Sequence, residues 1–90
     1  DPGAYALEIS GHSMVPVYRD GDVIVVSPAS RIRRGDRVVV KTREGEVMAK
    51  ELRRKSAARF DLHSLNQQAE DRLLPVGEVD WMARIVWVSQ

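Results

Sequence analysis

The chain has 90 residues, of which 14 are Lys or Arg and 13 are Asp or Glu, so its formal net charge is +1 and falls short of the footprint of a dedicated nucleic-acid-binding domain. Cysteine is absent, which excludes disulfides and thiolate zinc sites, and with two histidines a metal centre would depend on carboxylates. No apolar run approaches the ~20 residues of a membrane helix, and the sequence does not open with a signal-peptide pattern. We therefore expect one cytoplasmic domain over residues 1–90, without a metal, a cofactor or a membrane span.

The first half of the chain predicts short β-strands separated by glycine turns. Residues 5–9 alternate between apolar and more polar side chains, as in a half-buried strand. Two similar units follow, in which Gly-Asp turns at 20–22 and 34–36 each lead into a β-branched run. A further glycine turn at 43–46 then predicts a hairpin into a strand over 47–52.

The second half predicts further strands and no long helix. Residues 60–63 alternate like a strand, and the polar stretch 64–72 predicts a loop with room for one helical turn. Residues 81–88 are apolar on both faces except at Arg84, so both faces need cover. The basic cluster at 53–55 is interpreted as a solvated strand end and turn, the alternative being a phosphate contact. Short strands at close spacing predict a mostly β domain.

The last segment also predicts an oligomer. Strict alternation places Trp81, Ile85 and Trp87 on one face and leaves Val86 and Val88 on the other. A strand this apolar would be a liability at an uncovered sheet edge, because exposed edges invite uncontrolled pairing. We therefore expect it to pair with a second copy of the chain across a two-fold axis.

The segment 11–16 carries the candidate nucleophile, because it sets the Ser13 hydroxyl between a permissive glycine and a stiffening proline. A serine is a weak nucleophile and needs a neighbouring base. The candidate base is Lys50, which alternation places on one strand face with Met48 and Leu52. Desolvation between these neighbours would lower the pKa of its ammonium and free the amine. The alternative is a lysine whose stem packs while its head reaches water or a carboxylate.

Other serine chemistries fit less well. The Gly-x-Ser-x-Gly turn of α/β-hydrolases fails because Val15 stands at the second glycine, and the Ser-x-x-Lys pattern of β-lactamases fails at Pro16. A Ser-His-Asp triad with His63 stays open, although the alternation around it is typical of a packed or surface histidine. His12, next to the serine, either contacts substrate or faces solvent.

These residues resemble the C-terminal peptidase domain of the LexA and phage-repressor family, peptidase family S24. The resemblance is carried, in order and spacing, by the segments 11–16, 20–22, 34–40, 48–52 and 64–66. It implies a LexA-like fold, shared with signal peptidases, of short, twisted, largely antiparallel strands. It also implies that Ser13 is the nucleophile and Lys50 the general base. Backbone N–H groups at Ser13, with His12 and Met14 beside it, would then bind the oxyanion.

The resemblance also implies partners. Such domains follow an N-terminal helix-turn-helix, dimerise, and cut their own chain in the linker when a RecA filament on single-stranded DNA stimulates them. We therefore expect a homodimer, a RecA filament as the inducing partner, and DNA contact only through an N-terminal domain outside this sequence. Two alternatives remain open. The domain is a non-cleaving dimerisation module of a transcriptional regulator, or it is the soluble core of a type I signal peptidase, which shares the Ser-Met-x-Pro motif.

The bond that would be cut is not evident in this sequence. Members of the family cleave at a small-residue bond, commonly Ala-Gly or Cys-Gly, well upstream of the serine. Here Gly3 and Ala4 stand in the reverse order and too close to Ser13 for the chain to fold back. We therefore expect the scissile bond to lie outside the 90 residues.

Overall fold

The computed structural model describes residues 3–10, 17–66 and 69–89, so the predicted site residues His12, Ser13 and Met14 lie outside the described residues. The described part forms seven strands and one short 3-10 helix (Val76–Glu78). The strands are β1 (Tyr5–Glu8), β2 (Val23–Ser27), β3 (Arg37–Thr42), β4 (Val47–Lys55), β5 (Arg59–Ser64), β6 (Arg72–Pro75) and β7 (Val79–Val88). The prediction of a mostly β domain is confirmed. No described helix has the length and apolarity needed to cross a membrane.

All seven strands belong to one antiparallel sheet in the order β1-β2-β7-β3-β4-β5-β6. The apolar strand β7 therefore lies between β2 and β3 in the sheet. Its first half pairs with β3 and its second half with β2. Strand β6 was not predicted, because four residues are too few to show a clear period.

Each face of the sheet carries a hydrophobic cluster. The first cluster consists of the buried residues Ile9, Tyr18, Ile24, Val26, Val39, Ala49 and Ala83. The second consists of Val38, Val40, Met48, Leu52, Leu62 and Leu74. Strand β3 contributes to both clusters, because successive side chains of a strand point to opposite faces and β3 has neighbours on both sides.

A β-bulge interrupts the alternation of β7. Two adjacent residues of β2 pair with Ile85 and Trp87, which leaves Val86 as the extra residue between them. The bulge returns Val88 to the face of Ile85, and both pack against the first cluster. Trp87 keeps 55% of its surface exposed. Strict alternation predicted that Trp87 shares the face of Ile85 and that Val88 lies on the other face. This prediction is wrong, because one inserted residue reverses the alternation of all residues after it.

The two predicted Gly-Asp turns are built alike. Gly21 and Gly35 have φ of 89° and 92°, a left-handed conformation that side chains other than glycine rarely adopt. Oδ2 of Asp22 and Oδ2 of Asp36 each accept the backbone N–H of the arginine three positions earlier, at 2.9 and 2.8 Å. Both turns follow from local sequence, because glycine permits the left-handed backbone conformation and the aspartate carboxylate closes the turn by a hydrogen bond.

Candidate active site

The two Gly-Asp turns fix the ends of the chain segments that lead to the predicted nucleophile and contain the predicted base. The first turn holds Ile9, at the end of β1, through two backbone hydrogen bonds of 2.7 and 2.8 Å. The second holds Leu52 of β4 in the same manner, at 2.7 and 2.9 Å. Ile9 precedes the segment that contains Ser13, and Leu52 stands two residues after Lys50. Each turn therefore anchors the backbone at a residue that is near one member of the predicted dyad in sequence, four residues before Ser13 and two residues after Lys50.

A cavity separates the end of β1 from the first half of β4. Its volume is about 260 Å³, and its walls include Ser10, Met48 and Ala49. Ser10 is the last described residue before the segment 11–16, and Ala49 is the residue before Lys50. The chain thus enters the segment 11–16 beside the part of β4 that leads to Lys50.

Strand β4 places Lys50 on the face of the second cluster. The register pairs it with Val38 of β3 and with Ser64 of β5. Along its own strand the buried side chains of Met48 and Leu52 flank it, so the prediction that these three residues share a face is confirmed. The side chain of Lys50 is half-buried among these neighbours.

Burial lowers the pKa of the Lys50 ammonium, because desolvation penalises the charged form. The positive charge of Arg72 lowers this pKa further, whereas the carboxylates of Asp71 and Glu46 act in the opposite direction. None of the ion pairs among the described residues includes Lys50. In the described part of the chain, Lys50 is therefore not the ion-paired lysine of the alternative interpretation.

An ion pair between Arg72 and Glu46 lies near Lys50. Arg72 Nη1 donates to Glu46 Oε2 at 2.9 Å, and Nη2 donates to Oε1 at 3.2 Å. This two-fold hydrogen bond lowers the pKa of the Glu46 carboxyl and raises the pKa of the Arg72 guanidinium. The pair ties β6 to the turn before β4 and holds one charge of each sign close to the amine.

Ser64 forms the other side of the site. Its buried hydroxyl donates to the Asn66 carbonyl oxygen at 2.9 Å and accepts the Asn66 N–H at 3.2 Å. Its backbone N–H donates to Asp71 Oδ1 at 2.8 Å, which is the main cause of the lowered pKa of the Asp71 carboxyl. The 64–66 motif therefore closes a tight turn directly beside Lys50, which pairs with Ser64 in the register.

His63 does not join Lys50 in one cluster. It pairs with Glu51, so its side chain lies on the opposite face of the sheet from Lys50. His63 Nδ1 lies 3.0 Å from Asp71 Oδ1, and this contact also contributes to the lowered pKa of that carboxyl. A histidine and an aspartate therefore meet, but away from the face on which β4 presents the candidate base.

Sequence reasoning did not identify Glu46, Asp71 or Arg72 as neighbours of Lys50. No local pattern signals them, because Arg72 approaches Lys50 only when β6 pairs with β5. Ser64 was signalled only by its place in the 64–66 motif.

Two comparisons with known proteins bear on this site. The chain matches the model of the family described as Peptidase S24-like over residues 1–86. It is also similar to Repressor protein C of Rhizobium phage 16-3, with 51% identity over 39 residues. That stretch covers 43% of this chain and 15% of the phage protein, so the match spans a small part of the relative.

Proposed function

The chain belongs to the peptidase S24-like family, and from this premise we propose that it is the serine peptidase domain of a transcriptional repressor. Family membership implies peptidase-type activity in general. The similarity to a phage Repressor protein C supports the regulatory context. We propose further that Ser13 is the nucleophile, that Lys50 is the general base, and that the protein cuts its own chain.

The observation that carries this proposal is the environment of Lys50. Its pKa is lowered by burial, it forms no ion pair with the described residues, and the buried side chains of Met48 and Leu52 flank it on the same strand face. An amine that loses its proton more readily than an ordinary lysine is suited to accept the proton of a serine. The cavity between Ser10 and β4 places the last described residue before the segment 11–16 beside Met48 and Ala49, the residues that precede Lys50 in β4.

The proposed reaction needs no cofactor. Ser13 Oγ attacks the carbonyl carbon of the peptide bond while the neutral Lys50 amine takes the hydroxyl proton. Backbone N–H groups at Ser13 stabilise the oxyanion. The intermediate collapses with cleavage of the C–N bond, and the Lys50 ammonium returns the proton to the leaving amine. Water then hydrolyses the acyl-serine ester, with Lys50 again accepting a proton.

We also propose that the domain forms a homodimer through the second half of β7. In the described part of the chain, residues 85–88 have β2 on one side and no strand on the other. Val86 and Trp87 expose 48% and 55% of their surface there. An open strand edge beside exposed apolar side chains is suited to pairing with a second copy.

Self-cleavage is tested with the full-length protein that contains this chain. We expect incubation at alkaline pH to yield two fragments by mass analysis, because more of the Lys50 amine is neutral there. Ser13→Ala is expected to abolish the fragments while thermal unfolding stays nearly unchanged. Cleavage that persists in Ser13→Ala would refute the assignment of the nucleophile. Cleavage that persists in Lys50→Met would refute the assignment of the base.

A further inference from the structure

Positive charge is concentrated in two segments that are distant in sequence. Residues 28–36 connect β2 to β3, and residues 51–61 end β4 and begin β5. Together they hold seven Lys and Arg against three Asp and Glu, whereas the rest of the chain holds seven against ten. The near-neutral charge of the whole chain is therefore the sum of two regions of opposite sign. We call the two segments together the basic edge.

Hydrogen bonds join the two segments into one surface. The Leu52 carbonyl oxygen accepts the Gly35 N–H at 2.7 Å, and the Leu52 N–H donates to the Asp36 carbonyl oxygen at 2.9 Å. Further along β4, Lys55 Nζ donates to the Ile32 carbonyl oxygen at 3.2 Å. The connection between β2 and β3 and the end of β4 are thus neighbours in space.

The cationic side chains of the basic edge are all exposed, and they are Arg31, Arg33, Arg34, Arg53, Arg54, Lys55 and Arg59. Two of the three carboxylates among them are already engaged. Glu51 pairs with Arg53 at 2.9 Å, and Asp36 closes its own turn and lies 3.8 Å from Arg84, outside the edge. Asp61 stands across the hairpin from Arg54. The surface therefore keeps a surplus of positive charge.

The chemistry of the basic edge favours phosphate over an acidic protein. All but one of its cations are arginines, whose planar fork matches phosphate oxygens. None of the exposed large hydrophobic side chains of the described residues belongs to the basic edge itself. Leu73, which pairs with Asp61, and Val76, whose N–H donates to the Ala58 carbonyl oxygen, adjoin it, and the others are Tyr5, Val47, Val86 and Trp87. A protein interface needs apolar or aromatic anchors, and binding of single strands needs exposed aromatic rings for stacking. The basic edge itself carries no exposed aromatic ring, and its only exposed large apolar neighbours among the described residues are the aliphatic side chains of Leu73 and Val76 at its border.

We infer that the basic edge binds the phosphate backbone of duplex nucleic acid without reading its base sequence. This inference does not depend on peptide cleavage and involves neither Ser13 nor Lys50. Backbone contacts of this kind position a protein on a duplex and give an affinity that falls steeply with salt. Under this inference the basic cluster at 53–55 contacts phosphate, which was the alternative to a solvated strand end and turn.

The test is the binding of this chain to a short, fluorescently labelled DNA duplex of mixed sequence, measured by anisotropy across a salt series. If each of the four surplus charges neutralises one phosphate, the affinity falls about 150-fold between about 50 and about 200 mM salt. The double variant Arg33→Gln, Arg54→Gln removes one cation from each segment. It is expected to reduce the slope of log affinity against log salt by about 1.8.

The matched control is the double variant Arg19→Gln, Arg43→Gln, which removes the same charge from exposed sites outside the basic edge. It is expected to keep the slope of the unmodified chain, and circular dichroism checks that both variants are folded. Absence of saturable binding at low salt would overturn the inference, as would an equal loss of slope in the control. Equal or tighter binding of a single strand or of polyglutamate would also overturn it, because either result would assign the surface to a different partner.

Discussion

Neutralising the two members of the Arg72–Glu46 pair is expected to move the pKa of Lys50 in opposite directions. Arg72→Gln removes a cation that lowers this pKa, so the pKa should rise. Glu46→Gln removes a carboxylate that opposes the lowering, so the pKa should fall. Burial is the largest cause of the lowering, so Lys50 in Arg72→Gln should still titrate below an ordinary lysine.

The same substitutions should have little effect on folding. The two side chains keep 37% and 50% of their surface exposed, and solvent screens the attraction of such pairs. Exposed pairs contribute roughly 0.2–1 kcal/mol, so each variant should lose no more than about 1 kcal/mol of unfolding free energy. The pKa change is therefore measurable in folded protein.

The assay is an NMR titration of the isotopically labelled Lys50 side chain in the unmodified chain and in both variants. Arg72→Lys keeps the cation and should restore most of the lowering. Arg43→Gln is the control, because Arg43 Nε donates to the Gly77 carbonyl oxygen and Arg43 is not among the charges that act on Lys50. Shifts of the same sign in Arg72→Gln and Glu46→Gln would refute the electrostatic reasoning. In the full-length protein, the pH profile of cleavage should move in step with the titration.

Three further predictions concern stability and assembly. Lys50→Met should stabilise the fold at neutral pH, because the lowered pKa means that the folded state binds fewer protons than the unfolded state. This difference destabilises the folded state fully at pH values below the pKa of Lys50 in the folded state, and the effect vanishes as pH rises toward the unfolded value of 10.5. The gain in unfolding free energy of Lys50→Met, measured by urea denaturation, should therefore fade at high pH. Leu62→Ala should cost about 2–5 kcal/mol in the same assay, because Leu62 is fully buried. Leu73→Ala, at a site 59% exposed, should change stability by less than about 0.5 kcal/mol, and equal losses would contradict the assigned core. Trp87→Lys should weaken the proposed dimer in sedimentation, whereas a chain that is monomeric at high concentration without the substitution would refute the dimer.

Much of the fold was predictable from sequence because it depends on neighbours along the chain. Alternation identified β1 and β5 and placed Met48 and Leu52 on the face of Lys50. Glycines that require a left-handed backbone identified the turns before β2 and β3. The motif around Ser13 suggested the nucleophile, and the face of Lys50 suggested the base, so both members of the proposed dyad came from sequence.

The arrangement of these strands depends on contacts between distant residues, which no local pattern encodes. Strand β7 pairs with β2 and β3, which lie far from it in sequence, and leaves Val86 and Trp87 exposed. The bulge at Val86 moves Trp87 to the opposite face of the sheet from Ile85, because one inserted residue reverses the alternation of every residue after it. Sequence alone therefore determined most of the strand segments, although not β6, and which residues have side chains suited to the proposed chemistry. Tertiary pairing decided that Glu46 and Arg72 meet near Lys50, and that two basic segments form one surface, because only the folded sheet brings them together.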